Sequence, residues 1–167
     1  MLRYGISYGG DAVFSRPNNT DAYSGGDVVG PATSAGGGIL PLVGAGPSGV
    51  GGLLVMSTTL LIGAASVPGG MTTMFLHLYN ASPASAFADG DAWSLADADR
   101  EEYLGSLALG TPADAGANLF IAVDNINKQI RMGGNASGAL WAYLVTTAGW
   151  TPAAETPFRV GVRGYGC

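Results

Sequence analysis

The run Phe158-Arg159-Val160-Gly161-Val162-Arg163 decides the fold class. Phe158, Val160 and Val162 alternate with Arg159, Gly161 and Arg163 in period two, which puts one set on a buried face and the other in water, as in a half-buried β-strand. Upstream, 71–79 and 140–145 are apolar at both parities. That pattern suits a strand covered on both sides, by a second sheet or by a neighbouring subunit. Farther out, short apolar runs alternate with Gly, Pro, Asn and Ser clusters, the spacing of an all-β sandwich or barrel. The strands expected are 27–29, 39–43, 53–62, 71–79, 103–109, 118–123, 129–132, 139–146 and 158–163, enough for two sheets. One short helix is expected over 94–103, with Ser94 as its cap, Asp97 and Asp99 in its first turns and Gly105 past its end.

A chain of 167 residues suits one domain. Residues 1–30, rich in turn formers from Asp11 to Asp27, read as an extended N-terminal arm, and 31–167 as a single β-sandwich domain. Charged residues make up only 11% of the chain against 47% hydrophobic, and there are 28 glycines. So many glycines disfavour a helical bundle, and so little charge disfavours disorder. The net charge is −5, with seven basic residues scattered along the chain, so no basic stripe offers itself to phosphates and nucleic acid is not an expected partner. Cys167 is the one cysteine, which leaves no intramolecular disulfide and no cysteine-based zinc site. Met1 to Gly5 lack the apolar core of a secretion signal, so the chain is expected to stay where it is made. Residues 36–70 are uncharged, but Pro41, Pro47 and Pro68 break them too often for a membrane-spanning helix.

Motifs for catalysis are weak. Gly44-Ala45-Gly46-Pro47-Ser48-Gly49 spells G-x-G-x-x-G, yet Gly51 and Gly52 follow where a helix should begin, and no acidic residue lies between Asp27 and Asp89. A glycine-rich turn is the plainer reading. His77, the single histidine, lies between Leu76 and Leu78 in an expected strand and reads as a structural side chain at a sheet surface or subunit contact. Asp89, Asp91, Asp97, Asp99, Glu101 and Glu102 offer oxygens to a hard cation, but their spacing misses the calcium-loop pattern. They read as a solvated acidic loop, and no cofactor or metal is expected.

The stretch from Phe14 to Gly30, with Ser15-Arg16-Pro17, Thr20-Asp21-Ala22-Tyr23 and Gly26-Asp27-Val28-Val29, resembles a family of small structural proteins of tailed bacteriophages. The likeness continues through Leu76-His77-Leu78-Tyr79-Asn80-Ala81-Ser82-Pro83, the acidic 89–99 stretch, Tyr103-Leu104-Gly105, Leu140-Trp141-Ala142-Tyr143-Leu144-Val145 and Thr156-Pro157-Phe158-Arg159-Val160. It spans most of the chain, and 36–52 is more glycine-rich than the family pattern.

The resemblance implies a virion component with a jelly-roll-like β-sandwich: a capsid decoration or cement protein, homotrimeric, bound to the major capsid protein on the outer shell and made in the host cytoplasm. The expected contacts with capsid or partner subunits are Tyr4, Phe14, Arg16, Pro17 and Tyr23 on the arm and Trp141 and Tyr143 in the domain. Arg16 would hold a carboxylate bidentately and Tyr23 would present an amphipathic ring. The other reading of the arm residues is that they fix it to its own sandwich. A tail or fibre module that binds a host surface is the alternative function. An enzyme would require the fold to gather His77 and the Asp cluster.

Overall fold

The computed structural model describes residues 5–31, 37–48, 51–133 and 137–167. Its strands are β1 (Ser7–Ser15), β2 (Val28–Val29), β3 (Leu40–Leu42), β4 (Gly52–Ile62), β5 (Met74–Tyr79), β6 (Tyr103–Gly110), β7 (Ala113–Asp114), β8 (Leu119–Val123), β9 (Lys128–Arg131), β10 (Leu140–Thr146) and β11 (Pro157–Gly166). The first sheet runs β1-β11-β4-β8-β7 with β9 also on β4, and the second runs β2-β10-β5-β6 with β3 also on β10. All pairings are antiparallel.

β2 and β3 lie end to end along the edge of β10 that β5 does not use, and β8 and β9 do the same along β4. Each couple fills one strand position. With the short β7 set aside, eight positions numbered along the chain give sheet orders 1-8-3-6 and 2-7-4-5, two interlocked Greek keys of a jelly roll. Every strand expected from the sequence is present, and the fold is an all-β jelly-roll sandwich.

The period-two alternation of 158–163 is realised in β11, where Phe158, Val160 and Val162 point into the core and Arg159 and Arg163 stay exposed. Opposite them, Leu76, Leu78, Leu140 and Leu144 line the inner face of the second sheet, all fully buried. The Phe14 and Phe158 rings stack with centroids 5.2 Å apart, tying β1 to β11 from within.

Within the stretch expected as an arm, Ser7–Ser15 forms the edge strand of the first sheet, paired with β11 from Ser7 opposite Tyr165 to Ser15 opposite Pro157. The expected helix is reduced to a single 3-10 turn at Asp97–Asp99, with no side-chain cap. The cause is local. The Asp99 carboxylate turns back to accept from the backbone N–H of Ala84 at 2.6 Å, and β6 begins at Tyr103, leaving too little chain to propagate a helix. Residues 36–70 supply β3 and β4, and no helix among the described residues is long and apolar enough to cross a membrane. Gly44, at φ +77, turns the chain between them, so the described part of the G-x-G-x-x-G run is a strand connection.

Candidate functional site

The two-sided apolar patterns of β5 and β10 have an intrachain explanation. Their inward residues join the main core, while Tyr79, Tyr143 and Val145 face outward with Val28 and form a second, smaller core. Residues 80–102 fold over that outer face and seat Phe87, Trp93 and Leu95 on it. The Tyr143 hydroxyl donates to the Ser85 carbonyl at 2.7 Å, and the Trp93 indole N–H donates to the Tyr79 hydroxyl at 3.2 Å. The cover on this face is therefore the chain's own loop.

His77 lies beneath this loop. Its ring stacks on Trp93 with centroids 3.7 Å apart, and its Nδ1 is 2.9 Å from the Tyr103 hydroxyl. Burial pushes the imidazole down to about 4, whereas an unfolded histidine titrates near 6.5. The unfolded chain thus takes up the proton first as the pH falls, so this part of the stability is complete above about pH 6.5 and is lost on acidification towards about pH 4, at most about 3 kcal/mol in all. Urea midpoints followed from pH 7 to pH 4.5 should fall in the native protein and fall distinctly less in His77→Gln. Asp11 does not confuse the measurement: partial burial would raise its carboxyl, but hydrogen bonds from Arg159 and Arg163 outweigh that and hold it below 3.8, so its contribution is lost only in stronger acid.

The densest polar cluster sits where the loop meets the N-terminal segment. Arg16, directly after β1, is 1% exposed and sends Nη2 to Asp89 Oδ2 at 2.8 Å. Its Nε donates to the Tyr23 hydroxyl, which donates in turn to Asp89 Oδ1 at 2.5 Å. The Gly30 N–H completes the carboxylate at 2.9 Å, and the remaining guanidinium nitrogen reaches the Ala153 carbonyl at 3.5 Å. The guanidinium carbon also lies 4.6 Å from the Tyr23 ring centroid. Burial first, and then Asp89, hold the Tyr23 phenol protonated far above its ordinary range. Around this triad, the Tyr23 N–H donates to Trp150 O at 2.9 Å, and Asp27 Oδ2 accepts from the Ser24 N–H at 2.6 Å. Gly26 makes the turn at φ +97, and Val28 and Val29 fill the outer and inner cores respectively.

The expected contact residues therefore divide. Phe14, Arg16, Tyr23 and Tyr143 are buried within the chain, their side chains packed against its own sandwich and loop. Arg16 does hold a carboxylate, through one nitrogen rather than two, and the carboxylate is its own Asp89. Pro17 and Trp141 are half-buried, and Tyr4 lies outside the described residues. The acidic side chains disperse: Asp89 to Arg16, Asp91 to the Ala88 N–H, Asp97 to Arg100 and Asp99 to the 84–85 amides. Among the described residues no three His, Cys, Asp or Glu side chains come together to hold a metal ion. The fold does not bring His77 to the carboxylates. An open groove of about 790 Å³ at the end of the sandwich, lined by Glu101, Gln129, Arg131 and Cys167, holds neither His77 nor Asp89. Sequence reasoning missed Asp89 as the partner of Arg16, since 73 residues separate them.

Fold and site together define a jelly-roll domain whose most elaborate polar cluster is a structural corner. No family model matches the chain and no curated protein does. Among solved structures, a chain of the cyanophage Pam1 capsid asymmetric unit is similar over 99% of this chain and 88% of its own, with 15% identity and a TM-score of 0.34. A chain of the Israeli acute paralysis virus full particle is similar over 98% and 72%, with 8% identity and a TM-score of 0.33. One from sacbrood virus of honeybee is similar over 99% and 72%, with 9% identity and a TM-score of 0.29. The fold assignment rests on the strand order and not on these likenesses.

Proposed function

We propose that this protein is a virion structural component that decorates and stabilises the outer surface of a bacteriophage capsid, as a trimer bound to the major capsid protein. The observation that carries the reading joins sequence to structure. Within the 14–30 stretch that opens the resemblance to phage structural proteins, Arg16 and Tyr23 tie the segment after the N-terminal strand to Asp89 of the loop over the second sheet, while Asp27 holds the Ser24 N–H and Val28 and Val29 fill the outer and inner cores. Burying these residues supports a rigid domain that acts through its surfaces. An acidic chain also favours the outside of a shell over its DNA-lined interior.

The test is the copy number of this chain in purified particles relative to the major shell protein, by quantitative mass spectrometry. The expected ratio is near one per shell subunit. A few copies per particle would replace decoration with a tail or fibre role, and absence from particles would overturn the virion reading.

A further inference from the structure

The two outer faces of the sandwich differ in covering and in charge. The second sheet is hidden beneath residues 80–102, while the outer face of the first sheet is bare among the described residues. On that bare face Val13, Arg159, Leu61 and Phe120 stand opposite one another on successive strands and form one continuous row. Val13 is 73% exposed and Phe120 41%. The next row holds Asp11, Thr59 and Ala122 around Gly161. Arg159 and Arg163 both lean on the single carboxylate of Asp11, each at 2.8 Å, and both stay about half exposed. Two guanidiniums against one carboxylate leave the face positive. Arginine and an aromatic ring beside exposed aliphatic side chains are what protein interfaces enrich.

The counter-charge is on the same molecule. Every formal charge carried by a strand lies in the first sheet, with a net excess of positive side chains, and the strands of the second sheet have none. Residues 80–102 hold six of the twelve acidic side chains and one arginine. Asp89 and Asp99 are used internally and Asp97 pairs with Arg100. Glu101 and Asp91 remain exposed, and neither forms an ion pair among the described residues. We propose that the bare outer face of the first sheet docks the acidic 80–102 loop of a second copy of this chain, with Arg159 and Arg163 against loop carboxylates and Val13, Leu61 and Phe120 buried between them. Such a contact is heterologous, using different patches on the two partners, and closes into a ring when the rotation between copies allows.

Sedimentation velocity of the full chain, free of any shell, tests this separately from the capsid role. Association is expected at about 0.01 M ionic strength and is expected to weaken at about 1 M, where the screening length drops from roughly 30 Å to roughly 3 Å. Phe120→Glu on the face, or Glu101→Arg on the loop, should each weaken association by about tenfold or more at low salt. Mixing the two variants should restore it, since each supplies the surface the other lacks; that rescue is the signature of a head-to-tail contact. Ala122→Glu, exposed one row along, repeats the face test if Phe120→Glu disturbs the sheet. A native chain that stays monomeric at low salt, or variants that associate like the native chain, would overturn the proposal.

Discussion

Asp89→Ala is expected to lower the free energy of unfolding by about 3–5 kcal/mol, because it leaves the Arg16 guanidinium buried without its counter-ion. The side chains of Arg16 and Asp89 are 1% and 5% exposed, so the guanidinium left behind would have little solvent to replace the lost partner. The Tyr23 hydroxyl also loses its acceptor and the Gly30 N–H its carboxylate. A melting temperature roughly 10 °C lower would correspond in a domain of this size, and urea unfolding gives the free energy directly. The control is the double replacement Arg16→Met with Asp89→Leu, which removes both charges and should recover much of the loss, as buried ion pairs exchanged for apolar groups commonly do. A loss below about 1 kcal/mol in Asp89→Ala would mean the pair is solvated in solution, contrary to its burial here.

The second large effect is expected for Tyr143→Ala. Tyr143 is fully buried on the outer face of β10, meets the Phe87 ring edge-on at 5.4 Å, and donates to Ser85 O. Truncating a buried aromatic ring costs about 3–5 kcal/mol, and here the loss falls on the smaller of the two cores. Residues 80–102 should therefore open before the sandwich does. Limited proteolysis should cut within 80–102 many times faster than in the native protein, while the amides of β4 and β11 keep their protection against hydrogen exchange. Equal protection loss in both places would mean that the loop and the sandwich unfold as one unit. Tyr143→Phe, which removes only the hydroxyl, is expected to cost about 1 kcal/mol.

The strands that were legible were those whose side chains record their surroundings: β11 by strict alternation, β5 and β10 by apolar residues at both parities. β1 is not legible as a strand because the turn formers that begin at Asp11 make 1–30 read as an arm, and Gly9 and Gly10 just before them have no side chains to alternate. In the structure the two glycines mark close approach. A Cβ on Gly9 would lie 2.7 Å from Arg163 Cδ, and one on Gly10 would lie 2.8 Å from the Leu42 carbonyl oxygen. At Gly10, where the obstacle is backbone, glycine is needed for space, a requirement that only the neighbouring chain reveals, whereas the Arg163 side chain facing Gly9 can shift. At 94–103 the error ran the other way: Ser94, Asp97 and Asp99 carry the marks of a helix start, but Asp99 is committed to distant backbone amides. The corner was half legible. Arg16 and Tyr23 were picked out and Arg16 was expected to find a carboxylate, yet nothing local to Asp89 says which cation it meets. His77 reads as a side chain at a sheet surface or subunit contact; in the structure Trp93 of the same chain stacks over its ring.

The pairing of Ser7 with Tyr165 has a mechanical meaning. The polypeptide enters and leaves the sandwich side by side, on adjacent antiparallel strands. Tension applied through these two ends would act on one hydrogen-bonded pair at a time and peel β1 from β11 like a zipper, from Ser7 towards Phe14. The stacked Phe14 and Phe158 rings and the Arg16 corner stand at the far end of that path as its stop. A load spread across the sheet faces would instead meet all the pairs together. The domain thus resists a load on its faces better than tension through these two strand ends.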